Sequence, residues 1–383
     1  MTGPRPMPTA QAVLQILEAV YRIEQPPESW LTGVAQALLP SLGRGLGLHC
    51  YFVDVTPEQT TPLGTPYAVG LDPEWEAQWR ENWWEVFMAP VDAATMRWLH
   101  RFTVCSFARE VWDAGAAAHA SYAEYLAALA ASGYGRTHHR YLRDGQVPSG
   151  QKMFYPDSFN MSALDATGRG CVFIFNLPEA TTGPVPEAEA AFWGQIAGHI
   201  SAAHRLLRAR VQDADVSPFD TAEAILDPSG HIHHAGGAAK GAAARASIRA
   251  ATRSLERARG QTRTEPLSPP ETLSAWQAMT SGRWTLVDQF DSDGRRFILA
   301  RPNAPGVDED PVLTTREQQV AGHAALGHSN KVIAYELGLT ASTVATYLSS
   351  AARKLGARNR IELIRAFLAR LQAHRPVPPS DET

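Results

Sequence analysis

The chain has 383 residues, 44% of them hydrophobic and 19% charged, with a formal net charge of −4. That composition excludes a disordered polyelectrolyte and leaves room for two or three domains. The start, "MTGPRPMPTA", lacks an apolar signal core, and the longest strand-like apolar run, Cys171 to Leu177, is far too short to cross a bilayer. The expectation is a cytoplasmic protein with no membrane partner. Cys50, Cys105 and Cys171 form no CxxC pair, which suits free buried thiols in a reducing compartment.

In chain order, Ala10 to Glu24 and Glu28 to Leu39 read as helices, and "LHCYFVDV" from Leu48 as a strand. A helix from Pro73 to Phe87 follows, then more helix at Ser121 to Ser132. Phe159 to Leu177 reads as a hairpin turning at Thr167 to Gly170, and Glu187 to Val211 as a long final helix. Helices flanking a largely antiparallel sheet predict an α+β sandwich. Trp75, Trp79, Trp83 and Phe87 recur every four residues and form one aromatic stripe on their helix. Such a stripe either packs a core or lines a cavity for an apolar or aromatic ligand.

From Phe219 to Ala300 the pattern is strand, turn at Pro228 to Gly230, strand, an Ala- and Arg-rich helix, and a hairpin turning at Ser292 to Gly294. His231, His233 and His234 have no Cys, Asp or Glu at ligand spacing nearby, so they read as a solvated strand end, and no metal or other cofactor is expected. There is no GxSxG and no HExxH; "GGAAKG" lacks P-loop spacing, and "GRGLG" follows a helix rather than a strand. No enzymatic activity is expected.

Charge is uneven. Leu313 to Leu371 holds eight basic against three acidic residues, a net of +5 that leaves −9 on the rest. A compact basic end on an acidic body suggests a nucleic-acid-binding module. Thr314 and Glu317 form a capping box opening a helix that stops at Gly327, and Ser329 caps a second helix with Ile333, Ala334 and Leu337 inward, ended by Gly338. Thr340 or Ser342 caps a third helix, whose apolar positions Val344, Leu348, Ala351 and Leu355 form one stripe, closed by Gly356. A fourth helix from Asn359 carries Ile361, Ile364, Phe367, Leu368 and Leu371 as its apolar set. Two helices joined by a short glycine turn make a helix-turn-helix, with Ala345, Thr346, Ser349 and Arg353 opposite the core stripe.

Leu313-Thr314, Arg316-Glu317, Ser329-Asn330-Lys331, Ile333-Ala334, Leu337-Gly338, Thr343-Val344, Lys354-Leu355-Gly356 and Asn359-Arg360 together strongly resemble the LuxR/FixJ/NarL-type DNA-binding domain. The resemblance implies double-stranded DNA as partner and a bacterial transcription regulator. It implies that Lys331, Ser342, Thr343, Lys354 and Arg360 serve the phosphate backbone or the domain's own frame, while Ala345, Thr346 and Ser349 face the bases; Asn330, Thr340 and Arg353 complete the expected DNA-binding set, Arg353 reaching phosphates or base edges. Relatives commonly carry Lys and His where this chain has Ala345 and Tyr347, so base preference cannot be copied from them.

The layout of the first part resembles GAF-like and autoinducer-binding domains, and that of the second a reduced PAS-like domain. Pro73, Trp75 and Trp79 roughly match the ligand-lining stretch of autoinducer-binding relatives, but Ala89 to Val91 stands where Asp-Pro is usual, which speaks against a homoserine lactone. The expected organisation is a GAF-like domain at 1–212, a PAS-like domain at 213–304, a linker at 305–312, the DNA-binding domain at 313–375 and a disordered tail at 376–383. Two readings stay open: a homodimeric regulator that senses a small ligand, and a ligand-independent one whose N-terminal domains dimerise or dock a partner protein.

Overall fold

The computed structural model describes residues 7–55, 60–71, 105–108, 157–165, 168–179, 183–212, 219–264, 268–276, 284–290, 293–302, 312–325, 327–337 and 339–373, with a few single residues between them. The aromatic stripe of Trp75, Trp79, Trp83 and Phe87, the helix expected at Ser121 to Ser132, Gly338 and most of the expected linker lie outside the described residues.

The chain opens with helices α1 (Ala10–Val20) and α2 (Pro27–Leu42). Thr9 caps α1 by accepting from the Ala12 amide at 3.2 Å, and Val13, Leu14, Ile16, Leu17 and Val20 form its buried stripe. That helix stops four residues short of the sequence expectation, at Val20, and Tyr21 turns its ring toward the long third helix. The Trp30 indole donates to the Val20 carbonyl at 2.7 Å, so the end of α1 is satisfied by α2 rather than by water.

A five-stranded antiparallel sheet follows, in the order β2-β1-β5-β4-β3: β1 (Leu48–Val55), β2 (Thr60–Val69), β3 (Cys105–Phe107), β4 (Asp157–Leu164) and β5 (Arg169–Leu177). Pairing of Phe159 with Phe175 and of Met161 with Phe173 aligns one apolar face. Cys50, Phe52 and Cys171 extend that face into the core shared with α1, α2 and the long helix α3 (Glu187–Gln212). The opposite face is also buried but polar. Asn160 stands beside Ile174 and Ser106, Ser158 beside Asn176, Ser162 beside Val172, and His49 beside Ile174.

The β4–β5 reversal falls two residues earlier than expected, at Asp165 to Gly168. Gly168 has φ 85° and donates to the Asp165 carbonyl at 2.9 Å. Gly170, expected in the turn, lies inside β5, where β4 comes so close that a Cβ would sit 1.9 Å from the Ala163 carbonyl oxygen.

A second antiparallel sheet, in the order β7-β6-β9-β8, contains β6 (Ala224–Leu226), β7 (Ile232–Ala235), β8 (Trp284–Phe290) and β9 (Arg296–Pro302). Helices α4 (Ala242–Thr264) and α5 (Pro269–Trp276) lie between its hairpins. The two sheets do not have separate cores: one apolar cluster runs from α1–α3 through Leu273 and Trp276 to Leu286 and Ile298, and Trp276 stacks on Tyr21 with centroids 6.2 Å apart. Among the described residues no helix is long and apolar enough to cross a membrane.

The last four helices are α6 (Thr315–Ala325), α7 (Asn330–Leu337), α8 (Ala341–Lys354) and α9 (Arg360–Ala373). Gly327 (φ 85°) and Gly356 (φ 68°) take the left-handed conformation that ends α6 and α8, as their positions in the sequence require. One expectation is corrected. Ile361 does not join the apolar face of α9 but is 65% exposed, because Leu363 and Phe367, four residues apart, aim the helix at the core.

Gly170→Ala should lower stability by about 3 kcal/mol, since overpacking here pushes on backbone rather than on a side chain that can swing away. Thermal unfolding of the full chain measures this, and a melting temperature equal to wild type would contradict the strand approach described.

Candidate DNA-binding surface and its junction with the rest of the chain

The C-terminal helices are fastened by one carboxylate. Glu317 accepts from the Thr314 amide (2.7 Å) and hydroxyl (3.0 Å), which is the capping box, and also from Ser350 Oγ and Lys354 Nζ, both at 2.7 Å. It ties the start of α6 to the far end of α8. Burial would raise its pKa, but the hydrogen bonds from Lys354, Ser350 and Thr314 outweigh it and bring the value down to about 2.

Helix α8 is set by Thr340, whose Oγ1 accepts from the Thr343 amide at 3.1 Å and also bonds the Ser342 and Thr343 hydroxyls. Val344 and Ala351 are fully buried, with Leu348 and Leu355 packed beside them. The opposite face presents Ser342, Ala345, Thr346, Ser349 and Arg353 to solvent. This helix carries no acidic residue, and the Thr346 hydroxyl is turned onto the Ser342 carbonyl at 3.0 Å.

The remaining expected site residues divide by what they touch. Arg360 donates to Asn330 Oδ1 at 2.7 Å and to the His328 carbonyl at 2.6 Å, clamping the start of α9 to the start of α7. With Lys354 on Glu317, these groups hold the domain together. Lys331 is exposed, and its ammonium lies 3.2 Å from Glu187 at the start of α3. Of the expected site residues on α8, Ser342, Ala345, Thr346, Ser349 and Arg353 are left open to solvent.

Residues 311–367 match the family model described as bacterial regulatory proteins, luxR family. The C-terminal part of this chain is a luxR-family helix-turn-helix domain. Among similar proteins, the HTH-type transcriptional activator RamA of Corynebacterium glutamicum is 48% identical over 54 residues, which are 14% of this chain and 19% of that protein. The HTH-type transcriptional regulator MalT of Vibrio campbellii is 37% identical over 75 residues, 20% of this chain and 8% of the relative. An uncharacterized transcriptional regulatory protein of Bacillus subtilis, YvfU, is 49% identical over 55 residues, 14% of this chain and 27% of its own. The chain thus spans less than a third of the length of each of these relatives.

The luxR-type domain is docked on the rest of the chain through α7. Val332 to Leu337 are all buried. Two glycines of α3 allow the approach: a Cβ on Gly194 would lie 3.2 Å from Val332, and one on Gly198 would lie 2.8 Å from the Glu336 Cγ. A buried relay crosses the same junction. Tyr335 Oη donates to the Leu273 carbonyl at 2.9 Å, so toward His199 Nε2, 2.8 Å away, it must accept. The proton of His199 is then on Nε2, and Nδ1 accepts from Tyr21 Oη at 2.8 Å. Burial lowers the His199 pKa to about 3, which keeps the ring neutral, as the relay requires. The exposed Lys331–Glu187 pair contributes less than about 1 kcal/mol. The buried contacts of Val332 and Tyr335 decide the docking.

Sequence reading did not single out His199, Tyr335, His323, His328 or Glu336. The Gly194 and Gly198 spacing was the one visible hint of a close helix contact, and nothing local says which helix approaches.

Glu317→Gln should cost about 2 kcal/mol near neutral pH, the loss expected when hydrogen bonds to a charged group become neutral ones. The folded-state pKa lies below the ordinary 4.5, so this stabilisation is complete above that value and is lost as pH falls toward about 2. Melting curves should therefore show wild type and variant converging over that acid window. A gap that stays constant with pH would contradict the assignment.

Proposed function

We propose that this chain is a ligand-responsive, DNA-binding transcription regulator rather than an enzyme. The observation that carries it is the open face of α8, small, hydroxylated and free of acid, on a luxR-family domain. Small residues let the helix sit deep in the major groove, where hydroxyls and Arg353 reach phosphates or base edges and the Ala345 methyl meets a thymine methyl. Full-length protein should bind duplex DNA with a salt slope of about −0.9 per phosphate neutralised. Ser349→Glu puts a carboxylate toward the groove without touching the core. It should weaken binding at least about tenfold, a loss of about 1.4 kcal/mol, with unchanged melting temperature. Unchanged affinity would remove α8 as the reading helix.

The sensory part of the proposal rests on the first sheet. Its strand order and its helices on one face support a GAF-like reading, and the smaller sheet supports a reduced PAS-like one. Ser158, Asn160 and Ser162 lie on the buried polar face of that sheet, where Ser158 Oγ donates to Asn160 Oδ1 at 3.0 Å. A small, largely apolar ligand with a few polar anchors suits it, with Trp75, Trp79, Trp83 and Phe87 as the aromatic wall expected from the sequence. The exposed Ile361 on α9 supports self-association as a dimer, which would read inverted half-sites. A thermal-shift screen against small aromatic and apolar metabolites should find a compound that stabilises wild type, because a ligand that binds only the folded state raises its stability. Asn160→Leu should abolish that shift. No stabilisation by any compound or by cell extract would favour N-terminal domains that only dimerise or dock a partner.

A further inference from the structure

We propose that His323, His328 and Glu336 bind a divalent transition-metal ion of the zinc class, at the seam between the luxR-type domain and α3. The three residues come from different places: His323 from the last turn of α6, His328 from the connection that follows, and Glu336 from the end of α7. Their ligand atoms all lie within 4.8 Å of one another. His323 Nδ1 is 2.6 Å from Glu336 Oε2, and His328 Nδ1 is 3.3 Å from Oε1. Zinc bonds of about 2.0–2.1 Å in a tetrahedral site separate neighbouring ligand atoms by about 3.3 Å. The His328–Glu336 pair already has that spacing, and the His323–Glu336 pair reaches it by opening less than about 1 Å.

Burial and hydrogen bonding both point to an occupant. The side chains of His323, His328 and Glu336 are 8%, 3% and 7% exposed. Neither ring nitrogen of His328 has a hydrogen-bond partner, and His323 Nδ1 and Glu336 Oε2 lack one of adequate geometry despite their proximity. Each buried polar atom left so costs about 1–3 kcal/mol. One ion with lone pairs directed at it from two imidazoles and a carboxylate satisfies several of them together. Two imidazoles with one carboxylate suit zinc, leaving its fourth position for water.

The position gives the site a structural role. The ion would bridge α6, the following connection and α7, the helix that also docks on α3. Gly198 of α3 lies against the Glu336 stem. Occupancy would therefore stiffen the luxR-type domain at the place where the rest of the chain grips it.

The test uses untagged full-length protein stripped with chelator. Calorimetric titration with zinc should show one submicromolar equivalent and a raised melting temperature, and cobalt should give the visible absorption of a tetrahedral site. His323→Gln and His328→Gln should each weaken zinc at least about 100-fold, while a His231→Gln, His233→Gln double variant binds as wild type. Should a glutamine variant fail to fold, the cobalt spectrum and stoichiometry of wild type, measured beside the His231→Gln, His233→Gln protein, decide alone. The proposal is overturned if wild type takes up no zinc or gives no tetrahedral cobalt spectrum. It is equally overturned if folded His323→Gln and His328→Gln proteins keep wild-type affinity, or if the His231→Gln, His233→Gln protein loses it.

Discussion

Helix α7 must be buried on two sides at once, and much of the architecture follows from that constraint. On one side Ile333, Ala334 and Leu337 complete the small core of the helix-turn-helix. On the other, Val332, Tyr335 and Glu336 meet α3. An eight-residue helix has too few positions to leave a solvated face under such demands, which is why Val332 to Leu337 are all buried. The partner helix yields instead. Gly194 and Gly198, one turn apart, remove the side chains that would hold the two axes further apart. Some of the polar groups trapped in so close a contact find fixed partners in the Tyr21–His199–Tyr335–Leu273 relay, with each donor and acceptor role determined.

This arrangement separates two tasks that share one small domain. Docking uses α7, while the outward residues of α8, the face proposed for DNA, stay open to solvent. The groups that link them are internal: Glu317 joins α6 to α8, and Arg360 joins α9 to α7. Packed and hydrogen-bonded side chains thus run without a break from α3 through α7 to α8. The domain also has two apolar clusters of its own, distinct from the large core that unites both sheets, so it is a separate packing unit even though it is docked.

The parts legible in the sequence are those whose physics is local. The capping box at Thr314, the cap at Thr340 and the glycines at 327 and 356 each act within about four residues; the box and the glycines stand where the sequence places them, and of the two caps it offers for α8 the helix uses Thr340. Strands β1, β4 and β5 announced themselves by alternating or continuous apolar runs. Strand β2 did not, because Pro62, Gly64 and Pro66 break any strand pattern; its edge position is what tolerates them. Ile361 was misplaced because helical periodicity gives a face but not its centre, which Leu363 and Phe367 decide. The junction was illegible for a different reason. Gly194, His199, Tyr335 and Glu336 acquire their roles only when helices more than a hundred residues apart in the chain meet.

The prolines of β2 have a consequence beyond its own pairing. The outer rim of the first sheet is a ten-residue strand with one partner, β1, among the described strands, and such rims are where chains add to one another and begin to aggregate. Pro62 and Pro66 have no amide hydrogen to offer an incoming strand, and the register break opposite Cys50 and Phe52 bends the edge away from flatness. Ladder growth from this rim is thereby disfavoured, so the sheet ends here by the chemistry of its own backbone rather than by a covering element among the described residues.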